Sequence, residues 1–529
     1  MNRVLSRANK RISLSNAAVL LISATLMTQL LGFFRNRLVS TNFTVVNPGS
    51  TDAFFAAFQI PDFFFLTIAA GALGVAFMPV LADRLQDNDN KAVWDLTNSL
   101  LNLLSIIMFA VAVIIFVFAR PLLQYIVAPN LAPEQLNQAT DIMRLIAINP
   151  LLFTLSGILT SVQQTFGRFF FYAVAPLFYN LSIILSIYIF KYRMGIVGLG
   201  IGALIGAILQ LLVALLGLWG LNFRWRPHIN FRSNDFKLIM RKLPARSIDQ
   251  GVDSINSIVE TNRATTLGHG AVSYYNFATT LMNVPIMLFG TAISTAAFPR
   301  LTERLAQKRI DLFHRDFFKV VEIMIWISMP IVVIAYFSRG YLARLLYGDV
   351  APQVSLIFGY LTIAIFARIM YSILSRYFYA QKDTSTPLFI SLFTIALNIV
   401  LVFSLAKPGS YGITGLALAQ SIAAVVEVVL LVAVMLIRDP YIFNRAFWSA
   451  VGRIISVTGF SVITAFIMIS LLPLKLADRG FVTLGCKFGL IAGVTMLVHI
   501  GMSALFGLNE AKIILSKAYR VILKPIRIE

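Results

Sequence analysis

Ionisable residues are scarce in this chain, and two stretches concentrate them within apolar surroundings. Between residues 246 and 263, Arg246, Asp249, Gln250, Asp253, Asn256, Glu260 and Arg263 follow at gaps of 1, 3 or 4. That spacing keeps all of them on one stripe of a helix. Earlier, Arg35, Asn36 and Arg37 close the first apolar run. The second run opens at Thr51-Asp52 and places Asp52, Gln59 and Asp62 on one helical face. Guanidinium groups offer bidentate, charge-assisted hydrogen bonds to oxyanions, and the acids can answer cations. Each charge at membrane depth costs at least about 2.5 kcal/mol, so both faces should look into protein or water rather than lipid. Thr280 and Asn283 extend the polar set in a later run, ahead of Pro285. Two plainer readings stand beside this one. Asp52 can cap its own helix after Thr51, and the 246–263 stripe can be an Arg–acid lattice that glues helices together.

The elements that position these residues are membrane helices. Hydrophobic residues make up 58% of the 529 residues and charged residues 13%, where a soluble protein carries roughly a quarter charged. Mean hydropathy is +0.81. Apolar runs long enough to span a bilayer recur from end to end, with none of the period-two alternation of a β-barrel. The pattern predicts an all-α integral membrane protein with about fourteen transmembrane helices. The net charge of +21 does not point to nucleic acid. With the N-terminus in the cytoplasm, roughly 29 of the 44 Lys and Arg fall in cytoplasmic segments and roughly 8 in external ones, so the basic surplus is mainly a topology signal. Both termini are then cytoplasmic, and the first run reads as a retained span rather than a signal peptide.

The chain repeats itself. Phe77, Pro79, Leu81, Asp83, Arg84 and Leu85 have counterparts in Phe298, Pro299, Leu301, Glu303, Arg304 and Leu305. Pro61 matches Pro285, Asn180 matches Asn398, Gln210 matches Glu427, and Gly195-Ile-Val-Gly198 matches Gly412-Ile-Thr-Gly415. The repeat therefore covers six spans, an even number, which predicts two parallel six-helix repeats plus two C-terminal helices. The expected organisation is an N-lobe at 1–221, a basic cytoplasmic connector and hinge at 222–239, a C-lobe at 240–439, and two helices with a basic tail at 440–529. The runs between 93 and 221 read as featureless apart from their Gly and Pro breaks, Asn180 and Gln210.

Several chemistries have no footing in the sequence. There is no Walker A motif, no Ser nucleophile elbow and no HExxH. The four histidines are scattered, and Cys486 is the single cysteine, so no metal cluster, intrachain disulfide or enzyme activity is expected. No cofactor is expected beyond a possible coupling ion.

The stretches LLGFFRNRLVS, TDAFFAAFQIPD, GALGVAFMPVLADRL and AAFPRLTERL resemble the MurJ (MviN) family of lipid II flippases, in the MOP exporter superfamily. The resemblance covers essentially the whole chain. It implies two lobes around a central cavity and alternating access. The implied substrate is the undecaprenyl-pyrophosphate-linked peptidoglycan precursor, moved from the inner to the outer leaflet of the bacterial cytoplasmic membrane for cell-wall synthesis. It also implies a tail groove on helices 13 and 14 and cavity arginines that hold the pyrophosphate. Arg35 and Asp52 match family positions. Gln29, Phe65 and Thr280 stand where the family has arginine, and Ala70 and Asn283 where it has acids. Arg246, Arg263 and Arg368 remain as replacements for that cationic ring. The expected site is Arg35, Asn36, Asp52, Gln59, Asp62, Arg246, Gln250, Asp253, Asn256, Glu260, Arg263, Thr280 and Asn283. A lipid-linked substrate and the bilayer are the expected partners of a monomer. The rival readings are a flippase for another polyprenyl-linked saccharide, a cation-coupled drug exporter of the same superfamily, and a non-transporting scaffold.

Overall fold

A computed structural model describes residues 14–45, 51–70, 77–87, 89–439, 442–475, 478, 480–508 and 510–511, with backbone alone at 14–19, 22, 70, 242 and 244–250. The basic N-terminal lead and C-terminal tail lie outside the described residues, as do the side chains of Arg246, Asp249 and Gln250.

Every regular element among the described residues is helical. In lipid, a backbone segment finds partners for its N–H and C=O groups only within itself, which leaves the helix as the answer for an isolated apolar run. Twelve described segments, from Thr51–Ala69 to Phe481–Leu505, are long and apolar enough to cross a membrane. Leu14–Asn42 and Asn234–Thr265, of 29 and 32 residues, have the length as well. Together they account for the fourteen spans that the hydropathy pattern predicts.

The chain packs as two compact units that divide between Ser273 and Tyr274. The sequence reading opens the second lobe at residue 240, but the Asn234–Thr265 helix packs within the first unit. Ser257 Oγ donates to Gln59 Oε1 at 2.9 Å, and Asn262 Nδ2 donates to the carbonyl of Ile126 at 2.7 Å. Gly251 lies so close to the Thr51–Ala69 segment that a Cβ there would stand 2.9 Å from the Thr67 hydroxyl.

The repeat is visible within each unit taken alone. Behind Pro61 the helix Thr51–Phe64 widens into π-helical turns at Phe65–Ala70. Behind Pro285 the helix Ala271–Pro285 does the same at Ile286–Thr291. Proline removes one N–H and clashes with the carbonyl four residues back, so each helix locally re-pairs its backbone. The second shared device is a helical hairpin. Phe170–Met194 turns into Val197–Leu216 at Gly195 (φ 57°), and Ser385–Leu405 turns towards Thr414–Arg438 through Gly412 (φ 54°). Glycine alone enters that left-handed region without a steric cost.

The connector is fastened to the first unit. Asn98, Ser99 and Asn102, on the helix Asn90–Pro121, form a short polar comb in a run that the sequence reading treats as featureless. Asn102 Nδ2 donates to the carbonyls of Arg226 (2.7 Å) and His228 (3.0 Å), while its Oδ1 accepts from Trp225 Nε1 (2.9 Å). Asn98 pairs with the backbone of Arg224 and Arg226, and Ser99 Oγ accepts from Asn230 N. Arg84 adds a two-pronged pair to Asp235, at 2.7 and 2.9 Å. Asn102→Leu should leave three connector groups unpaired and raise the rate of tryptic cleavage among Arg224, Arg226 and Arg232 by at least tenfold, about 1.4 kcal/mol of lost protection. An unchanged cleavage rate would mean that the comb is dispensable.

In the second unit, the short turn before Ser385 rests on Asp383. Its carboxylate accepts from Thr386 N and Oγ1 (3.0 and 2.7 Å) and pairs with Arg438 Nη1 at 2.8 Å. Burial works against ionisation here, yet the Thr386 hydrogen bonds and the Arg438 guanidinium hold the group at about 2. A depressed acid stabilises the fold above its unfolded value near 3.8, and that contribution disappears as pH falls towards 2. The melting-temperature difference between the natural chain and Asp383→Asn should therefore be constant above pH 5 and shrink as pH falls through about 2. The pair is partly exposed, so about 1 kcal/mol bounds its size.

The two helices beyond the repeat, Arg445–Leu471 and Phe481–Leu505, pack on each other and on Ile310–Phe337. Buried polar contacts pin them: Trp326 Nε1 donates to Ser503 Oγ at 2.8 Å, and Ser461 Oγ lies 2.9 Å from His499 Nδ1.

Candidate functional site

Arg35 stands in the last third of the Leu14–Asn42 helix and is held from behind by two neutral amides. Its Nη1 donates to Asn180 Oδ1 at 3.1 Å, and its Nε and Nη2 donate to Asn36 Oδ1 at 3.3 and 3.2 Å. Asn36 is 5% exposed and Asn180 6% exposed, while Arg35 itself is half-buried. Amide oxygens fix a guanidinium's position without cancelling its charge, so the cation remains available to an anion. The charged or phenolic neighbours within electrostatic reach are Asp62 and Tyr179.

Asp62 is exposed at the mouth of a narrow recess in the first unit. The same recess is lined by Asn149, only 2% exposed, whose Oδ1 and Nδ2 both lack a hydrogen-bond partner. Beside them runs an aromatic chain: Phe65 meets Phe153 edge-on at 5.5 Å, and Phe153 meets Tyr179 edge-on at 5.2 Å. Phe65 is one of the positions where the resembled family carries arginine. Here it contributes apolar area to a cluster that ends at Tyr179.

The other expected site residues fall into three groups. Asp52 is 2% exposed, and its carboxylate accepts three hydrogen bonds, from Gly270 N (2.7 Å), Ser273 N (2.8 Å) and Ser273 Oγ (2.5 Å). It therefore holds Gly270–Ser273, which open the Ala271–Pro285 helix, and not the start of its own helix. On the 246–263 stripe, Glu260 is 7% exposed and accepts from Asn256 Nδ2 at 3.0 Å, whereas Asp253 is exposed and Arg263 half-buried. The described part of the stripe thus runs from buried (Glu260) to exposed (Asp253). Gln59 belongs to its packing through Ser257. The third group, Thr280 and Asn283, lies in the second unit. Thr280 Oγ1 donates back to the Asn276 carbonyl at 2.8 Å, and Asn283 is exposed.

The second unit has a half-buried arginine of its own. Arg368 Nη1 pairs with Glu427 Oε2 at 3.0 Å, and Ser391 Oγ donates to Glu427 Oε1 at 2.7 Å. Glu427 is 3% exposed, and the Arg368 side chain is 32% exposed. Unlike Arg35, this guanidinium meets a full counter-charge.

A neutral-backed arginine in a twice-repeated helical membrane fold narrows the comparison with known proteins. The family model "Lipid II flippase MurJ" matches residues 49–477. The chain belongs to the MurJ lipid II flippase family. Curated relatives include the probable lipid II flippases MurJ of Borreliella burgdorferi, 26% identical over 80% of this chain and 83% of that protein, and of Thermotoga maritima, 26% identical over 81% and 87%. Among solved structures, lipid II flippase MurJ in an inward closed conformation aligns with a TM-score of 0.76 at 22% identity, covering 92% of this chain and 98% of that one. An inward-facing multidrug resistance MATE transporter of the MOP superfamily aligns with a TM-score of 0.66 at 14% identity, over 80% and 98%. At these identities the structural likenesses establish the fold; the family match establishes membership.

The sequence reading places Arg35 and Asp62 in the expected site and notes Asn180 only as a polar residue within an apolar run, with a repeat partner, Asn398. It missed Asn149. An Asn-Pro pair within an apolar run reads as a helix start, and Asn149 does open the helix Asn149–Thr165. Nothing in the local sequence says that its amide is buried without a partner.

Proposed function

We propose that this chain carries lipid II from the inner to the outer leaflet of the bacterial cytoplasmic membrane by alternating access, with Arg35 as a principal contact for the pyrophosphate. The single observation behind this reading is the guanidinium held by Asn36 and Asn180, positioned but not neutralised. The polyprenyl tail stays in lipid, so only the head group needs a polar path. In this reading the protein makes and breaks no bonds, works as a monomer, and keeps both termini in the cytoplasm. The membrane potential or an ion gradient supplies the drive, about 2.3 kcal/mol per charge per 100 mV.

The test is complementation of a conditional lipid II flippase depletion strain, with a labelled precursor to follow its appearance on the outer leaflet. Rescue with outward transfer is the expected result. Good membrane expression without transfer of the labelled precursor would sink the assignment and favour another polyprenyl-linked saccharide.

A further inference from the structure

The recess between Asp62 and Asn149 has a chemical demand that the rest of the site leaves unmet. Asn149 is buried, and both atoms of its amide lack partners. The recess is too narrow to admit a water molecule, which excludes bridging by solvent. Its other lining side chains are apolar: Phe58, Ile146 and Phe153, with Pro61 and Pro150. The one polar group left to meet the amide is the Asp62 carboxyl. A carboxylate can only accept, so it would satisfy Nδ2 and repel Oδ1. A carboxylic acid both donates and accepts, and it matches an amide edge to edge.

We propose that Asp62 and Asn149 form a proton-binding site, in which the neutral acid pairs with the Asn149 amide and the ionised acid turns to Arg35. The step is a simple protonation: a proton from water adds to one carboxylate oxygen, and no electrons are transferred. A metal ion fits the recess poorly, because the space that excludes water also excludes a coordination shell. Of the helices packed on the Asp62 helix, Pro133–Ile146 carries Glu134, Asp141 and Arg144, and Asn90–Pro121 carries Lys91, Asp95 and Arg120. Arg35 from the first helix is the charge that acts on it, with the Tyr179 phenol alongside. The helix that carries Asn149 has no charged residue, and nor does Val197–Leu216. On the Asn234–Thr265 helix, the nearest candidates in sequence pattern are Asp253, Glu260 and Arg263, of which Glu260 is bonded to Asn256.

Resting on the reading of Arg35 as the pyrophosphate contact, this site couples two ligands. An anion on Arg35 takes away the partner of ionised Asp62 and so favours its protonation; a proton on Asp62 frees Arg35 for the anion. Such coupling is reciprocal by linkage.

Infrared difference spectroscopy on the full chain in nanodiscs tests the site without any lipid substrate. A carboxylic-acid carbonyl band should grow on acidification and be absent from Asp62→Asn. Its midpoint should move to lower pH in Asn149→Leu, which loses the acid's partner, and to higher pH in Arg35→Gln, which loses the carboxylate's partner. Each move is expected to be about one pH unit, a tenfold change in proton affinity. Asn149→Ser serves where the leucine variant fails to fold. An Asp62 band whose midpoint ignores both Asn149 variants would overturn the proposal. Added lipid II should move the midpoint of the natural chain to higher pH. If the substrate-free results hold and lipid II has no effect, the proton site stands and the assignment of Arg35 to the pyrophosphate falls.

Discussion

Arg35→Ala abolishes outward transfer of lipid II while leaving expression and melting temperature close to those of the natural chain; this is the largest effect expected at the site. Removing a desolvated cation from an anion contact costs about 2–5 kcal/mol, a loss of roughly 30-fold or more in the step it serves. The fold has little to lose from the change. Among the described residues, Arg35 donates only to Asn36 and Asn180, and a shorter side chain leaves two amides that can turn to one another or to water. Arg35→Lys is expected to keep part of the activity, since a point charge survives but the fork that reaches two amides does not.

The amides provide the sharper test. Asn180→Leu removes the Nη1 anchor at 3.1 Å and should cost about 1.5–3 kcal/mol in function. Asn180→Asp keeps the hydrogen bond, strengthens it, and neutralises the guanidinium. If positioning alone mattered, the aspartate variant would be active. If an available charge is what the site requires, it would be well folded and inactive. The outward-transfer assay separates the two, and full activity of Asn180→Asp would remove the charge argument from the mechanism. The Arg368–Glu427 pair of the second unit shows what a neutralised arginine looks like in this same fold.

How far the sequence alone carries depends on the range over which each signal acts. Helix positions came from hydropathy, and the breaks at Pro61 and Pro285 from proline chemistry, because both are local. The repeat singles out Asn180 only as a polar position matched to Asn398, and nothing local tells that it would hold Arg35. The 246–263 stripe lies on the Asn234–Thr265 helix, but its periodicity cannot say that Glu260 is buried while Asp253 is exposed. Periodicity fixes a face within about one residue in four, and packing decides the rest. The connector was predicted from its charge, but its attachment was not. The Asn98 and Asn102 side chains sit some 125 residues from the backbone they hold, and an asparagine in an apolar run gives no hint of its partner. Asp52 lies at the far end of this scale. Its type and motif suggested a cap or a substrate ligand, and its actual partners are 218 and 221 residues away.

That assignment leads to the second large effect, Asp52→Ala, which should lower stability by about 3–5 kcal/mol. Three donors converge on one carboxylate that is 2% exposed. Two of them are backbone N–H groups at the start of the Ala271–Pro285 helix, where the first turn has no intrahelical acceptors and the helix dipole favours negative charge. Alanine leaves all three donors buried without an acceptor, and each such loss costs about 1–3 kcal/mol. Asn in this place supplies one carbonyl oxygen but turns an amide nitrogen towards the remaining donors, so Asp52→Asn should fall between alanine and the natural residue. Ser273→Ala removes one donor and the 2.6 Å contact of Ser273 Oγ with Thr51 Oγ1, a loss of about 1 kcal/mol. Thermal melts of the three variants in lipid nanodiscs, set beside the transfer assay, decide what Asp52 is for. A residue that ties Gly270–Ser273 in place loses stability and transport together, in the order Ala, Asn, then Ser273→Ala. A residue that contacts the substrate would keep its melting temperature and lose transport alone. The three protein donors on its buried carboxylate favour the first outcome, because an acid that already accepts three hydrogen bonds has little capacity left for a ligand.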